Sequence, residues 1–297
     1  MHRLSLALLT SAYCGAIPLS AQADNGQLAH ALVADAITVD GELTDWPAHL
    51  PRYPIDLQGG NQRRTADANF DAHFRAAYAP AGDALYVALE VLDDHHSVGG
   101  TADADWSRQD GVILYLDERH QTRGSGPVLY SVTGPHRRLL SDDSSWDPAV
   151  RTAGWEDVEV AVRRTDDGRT VYEWRIATDA PLAPGNSVGL DFLVTDDDTP
   201  GQDDPAALYA WGPGLGKSQA GGRVGDLLLV DTFKPLGTLE GQIDWQPLPL
   251  QVETSDGERP RPTRVRITPT ASPASSLHAV LEPSGHYEAL LPPGEYL

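Results

Sequence analysis

Cysteine is nearly absent. The only one in 297 residues is Cys14. It falls in the first apolar stretch, so the chain beyond that stretch can form no disulfide and offers no thiol nucleophile. Positive charge is also short: 22 lysines and arginines stand against 43 aspartates and glutamates, for a net charge of −21. Such a surface repels nucleic-acid phosphates and anionic membranes, which argues against either as a partner. The short signatures of catalysis are missing too. There is no G-x-S-x-G elbow, no H-E-x-x-H and no glycine loop before a helix to cradle phosphate. Glycoside hydrolysis needs a pair of carboxylates, but among 43 acids no pair stands apart. Helical patterning is lacking as well, since no apolar residues recur at three- and four-residue spacing over three turns. No stretch after residue 23 is long and apolar enough to span a bilayer, so no membrane insertion of the mature chain is expected.

What is present begins with a secretory signature over residues 1–23. Arg3 supplies the positive start, Leu4 to Leu19 the apolar segment, and Ala21-Gln22-Ala23 a small-x-small cleavage site before Asp24. The apolar segment is interrupted by Pro18 and is short for a transmembrane span. The expected location is the bacterial periplasm or the exterior. A large domain without disulfides suits it, because it can build a core without covalent staples.

The remainder reads as all-β. Leu85, Val87, Leu89 and Val91 alternate with Tyr86, Ala88 and Glu90, the period of a half-buried strand. Val112 to Leu116 is apolar on both faces. Val158-Val160-Val162, Tyr172-Trp174-Ile176 and Val188-Leu190-Phe192-Val194 repeat the alternation, and Leu227 to Val230 closes the series. Turn-forming clusters such as "TDDGR" (165–169) and "APGNS" (183–187) separate them. Many short strands with such punctuation predict an antiparallel β-sandwich of jelly-roll type over residues 24–234. "FKPLG" (233–237) reads as a linker to a second, smaller and incomplete β-sandwich over 235–297. The chain stops at Leu297 just as an aromatic residue should open another strand, so a truncation is expected.

Two loops carry metal-ligating side chains. Asp93-Asp94-His95-His96 follows a strand and offers carboxylates and imidazoles to a transition metal. Neighbouring histidines on extended backbone point to opposite sides, and a solvated loop explains the run equally well. Asp196, Asp197 and Asp198 follow another strand and offer the oxygen ligands that calcium takes, or else form a solvated turn. Tryptophan is the other conspicuous residue, seven against four phenylalanines. Trp174 alternates with core positions, and Trp46 is expected to bury its indole against a sheet edge. Trp106 differs, because its neighbours are Asp103, Asp105, Ser107 and Arg108. Its ring is either a lid on the core or a flat platform for the C–H face of a sugar.

In order, "ITVDGELTDWP", "FRAAYAPAGDALYVALEVLDD", "DWSRQDGVILYLDE", "YEWRIA", "NSVGLDFLVTDDD" and "LYAWG…VGDLLLV" resemble the family 9 carbohydrate-binding modules over residues 35–231. The resemblance implies a secreted, non-catalytic β-sandwich that binds polysaccharide or oligosaccharide. It implies sugar contacts from Trp106, Gln109, Asp110 and Trp211, with Trp106 as the platform. The family's second stacking tryptophan would fall in "GLGKSQAGG" (214–222), which has none. Its glutamate position holds Ile113, and its arginine and asparagine positions fall near Ser131 and Thr133. "GTLEGQI" and "LEPSGHYEALLPPGEYL" resemble the carboxypeptidase regulatory-like, or transthyretin-like, domain. That resemblance implies a catalytic or receptor domain beyond Leu297. Two other functions stay open: a structural or targeting accessory without sugar affinity, and a hydrolase acting on glycosyl bonds.

Overall fold

The six apolar runs all become strands, and long-range pairing arranges them into two facing layers. The computed structural model describes residues 25–34, 37–64, 69–82, 84–98, 108–118, 128–133, 136–140, 158–199, 206–217, 224–232, 237–242, 264–268, 270, 277–280, 286–291 and 294–297. Eighteen strands lie among them, and no described helix is long and apolar enough to cross a membrane.

The first layer contains β1 (Leu28–Val33), β5 (Phe70–Ala79), β6 (Ala84–Asp93), β10 (Val158–Arg164) and β11 (Arg169–Ala177) in the order β10-β11-β6-β5-β1. The second is built on β12 (Ser187–Asp196), which pairs from Gly189 to Thr195 with the whole of β7 (Gly111–Asp117). Beyond β7 come β8 (Val128–Thr133) and β9 (His136–Leu140). The other edge of β12 is shared by β14 (Gly225–Val230) and β13 (Ala207–Ala210). β13 continues through β3 (Leu57–Gln58) to β4 (Gln62–Arg63), while β2 (Tyr53–Pro54) pairs with β5. β1 runs parallel to both β5 and β14 and so ties the layers together.

Between the layers lies the main core. Phe74, Val87, Leu89, Tyr172 and Trp174 face Leu114, Leu190, Phe192, Leu227 and Leu229. Each such side chain, fully buried, contributes roughly 1.5–3 kcal/mol. Trp174 has no exposed surface, in agreement with its alternation. β6 is not half-buried as its alternation predicts, because its outer residues are covered as well. Tyr86 and Ala88 pack beneath Ile37, Trp46 and Leu50 from the segment after β1. Trp46 therefore lies on the outer face of the first layer rather than at a sheet edge. Its indole Nε1 donates to Glu173 Oε1 at 2.7 Å, and the backbone N–H groups of Asp40 (3.0 Å) and Gly41 (2.8 Å) donate to Glu173 Oε2. Gly41 has φ +81°, and a Cβ there would meet Arg163 Cβ at 2.7 Å, so the turn that reaches Glu173 needs glycine.

In the second region, β15 (Gly237–Gln242) pairs with β18 (His286–Leu291), and β16 (Arg264–Ile267) with β17 (Leu277–Val280). Ile267, Ala289 and Leu291 form one buried cluster with Leu228 of β14.

Candidate functional site

Three strands end at one rim of the sandwich, and each brings an acid there. Asp93 closes β6, Asp110 precedes β7, and Asp196 closes β12. The register explains two of these positions: Gly111 at the start of β7 pairs with Thr195 near the end of β12. The two acidic loops read separately in the sequence thus converge, together with Asp110.

His96 Nδ1 lies 3.0 Å from Asp110 Oδ2 and 3.9 Å from Asp93 Oδ2. His95 is exposed, with its backbone N–H donating to Asp93 Oδ1 at 2.8 Å, so the two histidines do diverge. Asp110 is buried. It accepts the Ser97 N–H at 2.6 Å and the Asp197 N–H at 2.8 Å. Asp197 accepts from Ser97 Oγ (3.1 Å) and the Thr199 N–H (3.2 Å), which folds the loop after β12 onto the rim. Asp198 is exposed and accepts from Asn69 Nδ2 at 3.2 Å. Asp196 is only 4% exposed, and its Oδ1 has no hydrogen-bond partner. A small cavity inside the rim is bounded by Asp93, His96, Asp110 and Asp196.

So many acids in so little water raise each other's proton affinity. Burial pushes Asp93 up to about 7, with the charge of Asp110 adding to the rise against the His95 hydrogen bond. Burial likewise pushes Asp196 up to about 8, helped by Asp198, Asp93 and Asp110. A cation would relieve this repulsion. Ligand atoms of Asp93, His96 and Asp110 lie within 4.8 Å of one another, as do those of Asp93, Asp94 and Asp198. The first set mixes imidazole and carboxylate, the second is all oxygen, and the second suits calcium better. Of the three acids expected to bind calcium, Asp198 belongs to the oxygen set. Asp196 bounds the cavity, and Asp197 spends its oxygens on the loop.

The sugar-contact candidates separate. Trp106 lies outside the described residues. Gln109 is buried at the rim, 1% exposed, with its carbonyl accepting from Thr195 Oγ1 at 2.7 Å. Trp211 is 4% exposed and packs edge-on against Phe74, with centroids 5.0 Å apart at 75°. Its ring serves the core and offers no face to solvent. Ile113 and Tyr115 on β7 are buried with Leu57, Leu193, Ala210 and Val224 in a separate apolar cluster. Ser131 pairs with Ile113 in register.

Two polar constellations were not foreseen. Lys217 is 1% exposed, and its Nζ donates to Asp191 Oδ2 (2.6 Å) and to the Gly212 carbonyl (2.8 Å). Asp191 also accepts from Asn25 Nδ2 and, at 3.1 Å, from the Gly212 N–H. This network ties the loop after Trp211 to the middle of β12. On the outer face of the first layer, Glu90 gathers Arg52, His73, Arg75 and Arg169. An acid inside a strand pattern is the only sequence signal either network gives.

The family model described as "Carbohydrate family 9 binding domain-like" matches residues 39–230. A family 9 carbohydrate-binding module from Caldicellulosiruptor kristjanssonii, solved in complex with cellotriose, superposes with a TM-score of 0.54 at 17% identity. It covers 70% of this chain and 95% of its own. The structure of such a module from the same organism with glucose gives 0.53 at 17% identity, covering 70% and 97%. No curated protein matches the chain. With the match spanning both layers and the acidic rim, the chain belongs to the carbohydrate family 9 binding domain-like family.

Proposed function

We propose that the chain is a non-catalytic carbohydrate-binding module, exported by its first 23 residues and accessory to a hydrolase. The observation that carries this reading is the family match over residues 39–230. The C. kristjanssonii modules, with cellotriose and with glucose, make neutral β-linked glucans the first ligands to try. Trp106 is the stacking platform in this reading. Gln109 and Asp110, buried just after it, anchor its segment to the rim instead of touching sugar. The rim holds a calcium ion through Asp93, Asp94 and Asp198, which fixes the loops on either side of that segment. Residues 235–297 are a carboxypeptidase regulatory-like spacer to a further domain.

A second reading, a structural or targeting accessory without sugar affinity, is favoured by one feature: Ile113 and Trp211 stand buried where sugar contacts were expected. A glycan array of residues 24–297, with and without calcium and beside Trp106→Ala, separates the two. Sugar binding predicts a hit on neutral glucans that Trp106→Ala weakens at least about tenfold, a loss of roughly 1.4 kcal/mol. Silence across the array with a folded protein would support the accessory reading.

A further inference from the structure

A further cavity lies beside the acidic rim and shares Phe70 with the small cavity there. It has a volume of about 300 Å³ and lies between the β2–β4 region, the start of β5 and β13. We propose that it is a second sugar subsite, taking one neutral terminal sugar residue. The inference rests on the reading of the chain as a sugar binder and adds a site to it.

The charged groups at the cavity are Asp56, Arg63, Arg64 and Asp71. Their charges sum to zero, so these four groups favour neither an anion nor a cation, and the chain as a whole repels anions. Carboxylates only accept hydrogen bonds and guanidinium groups only donate them. A vicinal pair of hydroxyls does both, and so it matches this mixed set better than any ligand confined to one role.

The groups are also held in place. Arg63 Nη1 is 3.0 Å from Asp56 Oδ2, and the Arg64 N–H donates to the Asp56 carbonyl at 2.8 Å. The Arg64 guanidinium donates to the Tyr209 hydroxyl and sits 5.6 Å from the centre of that ring. Beneath them the wall is apolar. Ile55 is 1% exposed, and Phe70 stacks on Tyr209 at 3.8 Å. A rigid apolar wall below fixed donors and acceptors suits a pyranose, which has C–H surface and hydroxyls on one ring. The volume is at the low end for small-molecule sites, about 300–1,000 Å³, so a chain end fits and a long chain does not. Arg63 and Pro54 are exposed, which leaves the mouth open to solvent.

The Ile55 methyl is a reporter built into the wall. Residues 24–297 with labelled isoleucine methyls would be titrated with glucose and with cellotriose as wild type, Trp106→Ala, Asp71→Asn and Arg63→Gln. The expected result is a saturable Ile55 shift that persists in Trp106→Ala and weakens at least about tenfold in the two pocket variants. Arg63 is largely exposed, so Arg63→Gln keeps the test valid if Asp71→Asn fails to fold. If sugar binds in a Trp106-dependent way while Ile55 stays still, the subsite is overturned and the sugar-binding reading stands. If neither sugar moves a methyl signal and titration calorimetry of the same protein gives no heat, both fall.

Discussion

His30 has 2% of its surface exposed, and its Nδ1 lies 3.0 Å from the Tyr53 hydroxyl, which also accepts the His30 N–H at 2.9 Å. Its Nε2 has no partner. Burial alone brings the imidazole down to about 4 from an ordinary 6.5. The unfolded chain thus takes up a proton near pH 6.5 that the folded chain refuses until about 4. Stability from this group is complete above 6.5 and lost as pH falls towards 4, by up to about 3 kcal/mol. Glu90 acts lower. Burial pushes it up, but the His73 hydrogen bond and the charges of His73, Arg75 and Arg52 outweigh that and hold it at about 2. Its contribution is lost only as pH falls from about 4.5 to 2. His30→Gln should therefore flatten the fall in stability between pH 7 and 5, by roughly 1–3 kcal/mol relative to the parent, in denaturant unfolding at each pH. An unchanged slope would mean the imidazole is charged in the fold.

At the scale of elements, the loop after β13 depends on one buried ion pair. Lys217 reaches back to Asp191, in the middle of β12, and a gap would open if either partner left. Removing one charge from such a pair strands the other, at a cost of about 3–5 kcal/mol. Lys217→Met should lose that much in urea unfolding, and a loss below about 1 kcal/mol would show the loop holding without it. Sequence patterning made six strands legible, four by period-two alternation and two as continuous apolar runs, because burial of Val, Leu and Ile is a local signal. β5 was harder: four of the ten residues of "FDAHFRAAYA" are alanine, a weak strand former, and its outer face mixes them with Asp71, His73 and Arg75. The central place of β14 was hidden too, since it comes from parallel pairing with β1 at the far end of the chain. The rim was half legible. Asp93–His96 and Asp196–Asp198 each stood out, but only the fold brings them to Asp110. Trp211 was misleading because a strand-end tryptophan looks the same in sequence whether it faces solvent or, as here, Phe74.

At the scale of the whole molecule, the negative charge is not spread evenly: acids crowd the end of the sandwich where β6, β7 and β12 terminate. The opposite requirement, apolar contact, governs the second region, which leans on Leu228 through Ile267, Ala289 and Leu291. A two-layer core with a polar rim is a scaffold whose loops are free to carry recognition. In the reading proposed above, this scaffold binds neutral sugar. The most direct measurement is an isothermal titration of cellotriose into residues 24–297 with calcium present. A sugar-binding sandwich gives a saturable heat that Trp106→Ala reduces. No heat from a protein shown to be folded would contradict that reading.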